Sequence, residues 1–160
     1  ELGNGSIDKY HQYNMNMLGK NHKPGASLRV WRDYFQKAKI FGADIDKKTL
    51  FKEKRIKTSY VDQSDNKSIT YMFKKFKVHK YDIIIDDGCH RFEETMIFFK
   101  KAINKLSNNG VYIIEDIVPS QRKKFLKFFN SKKFQVKLIN FYRPKKNILS
   151  NCIITIRKNN

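Results

Sequence analysis

Two apolar runs in this chain end abruptly in carboxylates. The first covers Tyr81–Asp86 and is followed by Asp87, and the second covers Gly110–Asp116. A run of β-branched residues that acids terminate is typical of a strand buried in a parallel sheet, and the carboxyl ends of such strands open into a ligand crevice. The pattern therefore predicts two neighbouring strands that bring four acids to one edge of a sheet: Asp86, Asp87, Glu115 and Asp116.

A divalent cation would make such an acidic edge tolerable. Carboxylates at close range repel one another and raise each other's pKa, and a cation such as Mg²⁺ among them removes that cost. His90 follows Asp87 by three residues, on the turn that leaves the strand, so we expect it beside the metal. The layout predicts a catalytic site, with the alternative that His90 is a loop histidine that caps the next helix.

Segments of strand and helix character alternate along the chain. Strands are predicted at residues 1–3, 38–44, 57–62, 81–86, 110–116, 134–142 and 151–157, and helices at residues 24–35, 47–54, 68–76, 92–106 and 120–129. Helical spacing predicts core positions for Trp31 and for a stripe in the last helix, made of Phe125, Leu126, Phe128 and Phe129. The alternation predicts an α/β fold, a Rossmann-like doubly wound sheet of seven mostly parallel strands with a C-terminal antiparallel hairpin.

Length and cysteine usage limit the class of protein. A chain of 160 residues suffices for one domain with a hydrophobic core, so we expect a single domain over residues 1–160. It begins at Glu1 without an initiator Met, and we expect the N-terminal part of the full protein to be missing. No apolar run approaches the roughly 20 residues of a membrane span. Cys89 and Cys152 form no metal or disulfide pattern, which favours a reducing, cytoplasmic location.

The net charge of +19 raises the question of a nucleic-acid partner. Lys far outnumbers Arg, and the lysines are scattered through every segment, which is typical of a solvated surface rather than of an Arg-rich reading surface. The charge alone therefore does not predict nucleic-acid binding, although it is compatible with anionic substrates.

Short segments in a fixed order resemble class I S-adenosylmethionine-dependent methyltransferases. Within that class they are most similar to metal-dependent sugar O-methyltransferases of the macrocin and mycinamicin type and to relatives in bacterial surface-polysaccharide gene sets. The segments are Glu1–Gly5, Lys23–Phe35, Phe41–Asp46, Val61–Asp65, Asp86–His90 and Ile113–Ile117. The resemblance implies methylation of a sugar hydroxyl in a nucleotide sugar, a capsule or lipopolysaccharide unit, or a secondary-metabolite glycan.

The same resemblance implies roles for individual residues. Metal binding falls to Asp87, Glu115 and Asp116, and catalysis to Asp87 with His90 as the general base. S-adenosylmethionine and Mg²⁺, or another divalent cation, are the implied cofactors. The implied cofactor-binding residues are Glu1, Gly3, Ser27, Asp44, Asp62, Gln63 and Asp86. For Asp44 a helix N-cap is the alternative role, which the nearby Asp46 could take instead.

Two matters stay open at the level of sequence. Residues 4–23 form a longer segment than the glycine loop of the macrolide enzymes, and it is either a lid with Tyr10, Tyr13 and Lys20 as contacts or a disordered loop. The alternative function is an RNA methyltransferase or a nucleic-acid-binding module that uses the lysine-rich surface. The expected partner is a small sugar or nucleotide sugar, with a homo-oligomer as a further possibility.

Overall fold

The computed structural model describes residues 23–130, 133–141 and 152–159. Its α/β class agrees with the prediction. The helices are α1 (Ala26–Tyr34), α2 (Asn66–Phe76), α3 (Phe92–Ala102) and α4 (Pro119–Phe129). The strands are β1 (Ile40–Asp44), β2 (Lys52–Glu53), β3 (Ile56–Tyr60), β4 (Tyr81–Asp86), β5 (Leu106–Ile114), β6 (Phe134–Asn140) and β7 (Cys152–Lys158). None of the helices in the described residues is long and apolar enough to span a bilayer.

The described strands form two sheets. In the first, β3 lies between β1, to which it is parallel, and the short β2, to which it is antiparallel. In the second, the order is β4-β5-β7-β6, with β4 and β5 parallel and β7 antiparallel to both of its neighbours. The pairing of β6 with β7 confirms the predicted C-terminal antiparallel hairpin.

The prediction of a single seven-stranded sheet is wrong for the described residues, which form sheets of three and four strands. No strand pairing joins β1 to β4 in the part of the chain that the structure describes, and the strand predicted at residues 1–3 lies outside that part. The described residues also contain the short strand β2, in a segment for which a helix was predicted. The Phe51 backbone bonds the Thr58 hydroxyl through both its N–H (2.6 Å) and its carbonyl (2.5 Å), which lays this segment beside β3.

The main core lies between the strands and helices α2, α3 and α4. Spacings of three and four residues along α2 and α3 put one apolar face of each helix against the sheet. The buried residues of this core include Ile69, Met72, Phe73, Phe76, Met96, Phe98, Phe99, Tyr112, Ile114, Phe125, Phe129, Ile154 and Ile156. The predicted stripe in α4 is only half correct, because Phe125 and Phe129 are buried whereas Leu126 and Phe128 are 43% and 40% exposed. Phe125 and Phe129 lie four residues apart on the buried face of the helix, and Phe128 lies at the border of that face, where its ring still contacts Phe92 and Phe99.

Trp31, the end of α3 and the start of α2 also differ from the predictions. Trp31 is half-buried rather than a core residue, since α1 buries only Leu28, and its ring stacks on Phe35 at a centroid distance of 6.1 Å. The helix predicted to reach residue 106 ends at Ala102, and a 3₁₀ turn at Ile103–Lys105 leads into β5. α2 begins two residues earlier than predicted, because the Asp65 carboxylate accepts hydrogen bonds from two backbone N–H groups of its first turn.

Candidate functional site

The carboxyl ends of the parallel strands carry most of the predicted site residues. Asp44 ends β1 and Asp86 ends β4. Asp62 lies two residues beyond β3 and Asp116 two residues beyond β5. Because β4 and β5 pair in register, with Asp86 opposite Ile114, the segments that follow them leave the sheet at the same edge. This edge is where α/β folds bind ligands.

Asp87, His90 and Asp116 form a compact group at that edge. One ligand atom from each of these side chains lies within 4.8 Å of the other two. His90 Nε2 is 3.8 Å from Asp87 Oδ1. Glu115, which the resemblance also implies as a ligand, is not a member of this group, although its backbone N–H donates to the Asp86 carbonyl at 3.0 Å. Its role as a metal ligand stays a prediction.

Two members of this group have left-handed backbone conformations. His90 has φ 56° and Asp116 has φ 52°. Non-glycine residues rarely adopt this region, at a cost of about 1–3 kcal/mol each, and such residues concentrate at functional sites. The coincidence of two of them in one cluster of potential ligands supports a functional role for this group.

Asp86, the last residue of β4, is buried and is not a member of the group of potential metal ligands. Its carboxylate is 1% exposed and accepts hydrogen bonds from Gln63 Nε2 at 2.8 Å and from the Tyr112 hydroxyl at 2.7 Å. Burial raises the pKa of Asp86 to about 6, although the hydrogen bonds from Tyr112, from Gln63 and from the Gly88 backbone act in the opposite direction.

Two glutamines contact the turn that carries His90. Gln63, predicted as a cofactor-binding residue, is buried, and its Oε1 accepts from the Cys89 backbone N–H at 3.0 Å. Gln121 in α4 accepts from the Phe92 N–H at 2.8 Å through Oε1 and donates to the His90 carbonyl at 3.2 Å through Nε2. Sequence reasoning did not identify Gln121, since its neighbours in α4 resemble those of any basic amphipathic helix.

The alternative capping role of His90 is not what the structure shows. α3 begins at Phe92, its N-cap residue Arg91 makes no side-chain capping bond, and the Phe92 N–H donates to Gln121 and not to His90. The His90 Nδ1 atom is buried and, among the described residues, has no hydrogen-bond partner. Its Nε2 atom is directed towards Asp87. His90 therefore belongs to the acidic group rather than to the start of the helix.

The other predicted cofactor residues within the described part of the chain are Asp44, Asp62 and Ser27. Asp46 caps the 3₁₀ turn at Lys47–Thr49 by accepting from the Lys48 N–H at 2.8 Å, so the alternative capping role falls to Asp46 and not to Asp44. Asp44 Oδ1 accepts from the Asp46 N–H at 2.8 Å. Asp62 Oδ1 accepts from the backbone and hydroxyl of the serine two residues later, and Ser27 is exposed in the first turn of α1. Positions outside the described residues are Glu1, Gly3, Tyr10, Tyr13 and Lys20.

Comparison with known proteins confirms the resemblance to sugar O-methyltransferases. No family model matches the chain. It is 34% identical over 96 residues to 8-demethyl-8-alpha-L-rhamnosyl tetracenomycin-C 2'-O-methyltransferase of Streptomyces olivaceus, and 36% identical over 93 residues to demethylmacrocin O-methyltransferase of Streptomyces fradiae. These matches cover 60% and 58% of this chain but only 25% and 23% of the relatives. The matched region thus spans about a quarter of the length of these relatives.

Solved structures show the same fold. The MycE methyltransferase from the mycinamycin biosynthetic pathway, in complex with Mg and SAH, superposes with a TM-score of 0.66 at 22% identity. That superposition covers 98% of this chain and 44% of MycE. A putative ribosomal RNA methyltransferase from Plasmodium falciparum superposes with a TM-score of 0.63 at 20% identity and covers 97% of each chain. The chain therefore has a methyltransferase-like α/β fold.

Proposed function

We propose that this chain forms a single S-adenosylmethionine-dependent O-methyltransferase domain that uses Mg²⁺, or another divalent cation, to methylate a sugar hydroxyl. The observation that carries the proposal is the group of Asp87, His90 and Asp116 at the shared edge of β4 and β5. Sequence similarity to two sugar O-methyltransferases supports the choice of reaction.

The donor set fits a hard divalent cation. Asp87 and Asp116 offer carboxylate oxygens within 4.8 Å of each other, and Mg²⁺ prefers oxygen ligands while it keeps several waters. Glu115, the residue before Asp116, is the third acid that we propose for the site. When bound, Mg²⁺ would lower the pKa of a coordinated hydroxyl, and S-adenosylmethionine would supply the methyl group from its sulfonium.

The side chains around the cation would then handle the proton and the geometry. His90 Nε2, 3.8 Å from Asp87 Oδ1, would accept the proton of the sugar hydroxyl as a general base. Asp44 would accept hydrogen bonds from the ribose hydroxyls of the cofactor, as acids at this position do in dinucleotide folds. Asp62 and Gln63 would lie near the adenine, with Ser27, Glu1 and Gly3 towards the methionine part. By holding the sugar hydroxyl and the methyl donor in a fixed orientation, such a site would gain much of its rate enhancement.

The substrate class rests on similarity and charge. Two relatives are named for methylation of a rhamnosyl group and of demethylmacrocin, which favours a secondary-metabolite glycan. The chain has 34 Lys and Arg residues but only 15 Asp and Glu residues. This positive charge favours a substrate with phosphate or acidic groups, such as a nucleotide sugar or a capsule or lipopolysaccharide unit. The methyl-transfer experiment below therefore includes substrates of both classes. Cytoplasmic location and a homo-oligomeric state stay predictions.

An RNA methyltransferase is the second candidate, and one surface favours it. An open groove of about 360 Å³ beside α2 is lined by Asn66, Lys67, Thr70, Tyr71, Lys74 and Lys101. Tyr71 is 63% exposed there, and an exposed aromatic ring among lysines can stack on a base while the lysines contact phosphates. Binding of this kind weakens steeply with salt, so a weak salt dependence of affinity for single-stranded RNA would exclude it.

The decisive experiment measures transfer of a radiolabelled methyl group from S-adenosylmethionine to a panel of nucleotide sugars, glycosylated macrolides and RNA. We expect transfer to a sugar, its loss on chelation, and its recovery when Mg²⁺ is restored. Asp87→Asn should abolish transfer, whereas the matched control Asp82→Asn, at the opposite end of β4, should leave it unchanged. Sugar methylation that survives complete removal of divalent cations would disprove the metal-dependent mechanism.

A further inference from the structure

We infer that Gln63 and Gln121, together called the glutamine pair, are positioning residues that hold the turn 86–92 and thereby set the direction of His90. The inference rests on the proposed function, because it assigns these residues a task in the same site. Gln63 reaches the turn from the segment after β3, and Gln121 reaches it from α4. Neither contact follows from the resemblance, which implies only cofactor binding for Gln63.

Gln63 fixes the first half of the turn through both ends of its amide. Nε2 donates to the buried Asp86 carboxylate at 2.8 Å, and Oε1 accepts from the Cys89 backbone N–H at 3.0 Å. The amide also lies against Gly88, where an added Cβ would come within 2.2 Å of Oε1. Only a residue without a side chain lets the amide approach the backbone this closely. Gln63 therefore links the turn to the end of β4, on the N-terminal side of His90.

Gln121 fixes the second half in the same two-ended way. Its Nε2 donates to the His90 carbonyl at 3.2 Å and its Oε1 accepts from the Phe92 N–H at 2.8 Å. The N–H groups in the first turn of a helix have no acceptor within the helix, so Phe92, the first residue of α3, needs an outside partner. Gln121 supplies that partner, and so it couples the start of α3 to the backbone of His90.

The direction of the His90 ring depends on this backbone support. A general base is ordinarily oriented by a hydrogen bond to its second ring nitrogen. In the described residues, however, His90 Nδ1 is buried without a hydrogen-bond partner. The backbone of His90 is also held at φ 56°, a conformation that relaxes unless its surroundings maintain it. The glutamine pair contacts the residues on both sides of His90 and its own carbonyl, so it maintains this conformation.

The test replaces Gln121 by Met, which has a similar length and cannot form either hydrogen bond. We expect kcat for methyl transfer to fall between about tenfold and about 100-fold, as small displacements of reacting groups do, while KM for S-adenosylmethionine changes less than about twofold. Gln135→Met on the exposed face of β6 is the matched control and should retain full kcat. In a His90→Ala background, Gln121→Met should reduce the residual rate less than about twofold, because both changes remove the same contribution.

A second readout needs no activity. Exchange of the Phe92 amide hydrogen, followed by NMR, should be slow in the native chain and faster by about tenfold or more in Gln121→Met, with the amides of α2 unchanged. If the native chain methylates no substrate, the proposed function fails while this measurement still tests the glutamine pair. Full kcat in Gln121→Met, multiplicative losses in the double variant, or unchanged Phe92 exchange would each overturn the positioning role.

Discussion

Gly88→Ala tests how closely the turn is packed against Gln63. The new Cβ would lie 2.2 Å from Gln63 Oε1 and 2.8 Å from its Cδ atom. The Gln63 amide cannot yield without loss, because both of its ends are hydrogen-bonded, to Asp86 and to the Cys89 N–H. We therefore expect the substitution to displace the amide and break both bonds.

The magnitude follows from the two bonds. A hydrogen bond to a charged group contributes about 1.5–3 kcal/mol and one between neutral groups about 0.5–1.5 kcal/mol. The sum predicts that Gly88→Ala lowers the free energy of unfolding by about 2–4.5 kcal/mol. With a urea slope of about 2 kcal/mol per M, the unfolding midpoint should fall by about 1–2 M.

Urea unfolding followed by tryptophan fluorescence, at pH 7.5 where Asp86 is ionised, provides the measurement. The control is the same change in a Gln63→Ala background, where the obstructing amide is absent. There we expect Gly88→Ala to cost less than about 0.5 kcal/mol, since the sites interact through this contact alone. An equal cost in both backgrounds, or no cost in either, would refute the proposed packing of Gly88 against Gln63.

Three further predictions concern the acids and the base. Asp87→Asn should abolish methyl transfer and leave S-adenosylmethionine affinity, measured by calorimetry, within about threefold, and full turnover would contradict its role in metal binding. His90→Ala should lower kcat about 10²-fold, and a rate equal to the native rate would rule out a general base there. Because the pKa of Asp86 is raised to about 6, its contribution to stability is complete below about pH 4 and is lost as pH rises through 6. The difference in unfolding free energy between the native chain and Asp86→Asn should shrink by about 2–3 kcal/mol from pH 4 to 7, and a constant difference would show that Asp86 titrates normally.

Local patterns in the sequence predicted the central strands well. The run Tyr81–Asp86 is β4 with the same bounds, because a continuous β-branched stretch that an acid terminates has few other stable environments. The pairing of β6 with β7 was also predicted. Asp87, His90 and Asp116 lie together because their strands are parallel neighbours, which the acidic ends of both runs indicated.

Features that depend on distant partners could not be predicted in the same way. Periodicity identified the apolar side of α1 but not what covers it, so Trp31 was wrongly expected in the core. Gln121 contacts a carbonyl 31 residues away, and a glutamine carries no local pattern that indicates such a bond. The partners of the buried Asp86 carboxylate, Gln63 and Tyr112, lie 23 and 26 residues away along the chain, so no local pattern indicates those contacts either.

The left-handed backbone of His90 and Asp116 has a consequence for variation in this protein. Glycine at either position would relieve about 1 kcal/mol or more of conformational energy and would at the same time delete a proposed catalytic or ligand group. Selection for thermal stability alone would therefore favour glycine at these two positions and would produce an inactive protein. If a thermostabilised variant retains His90 and Asp116, that retention indicates selection for turnover as well.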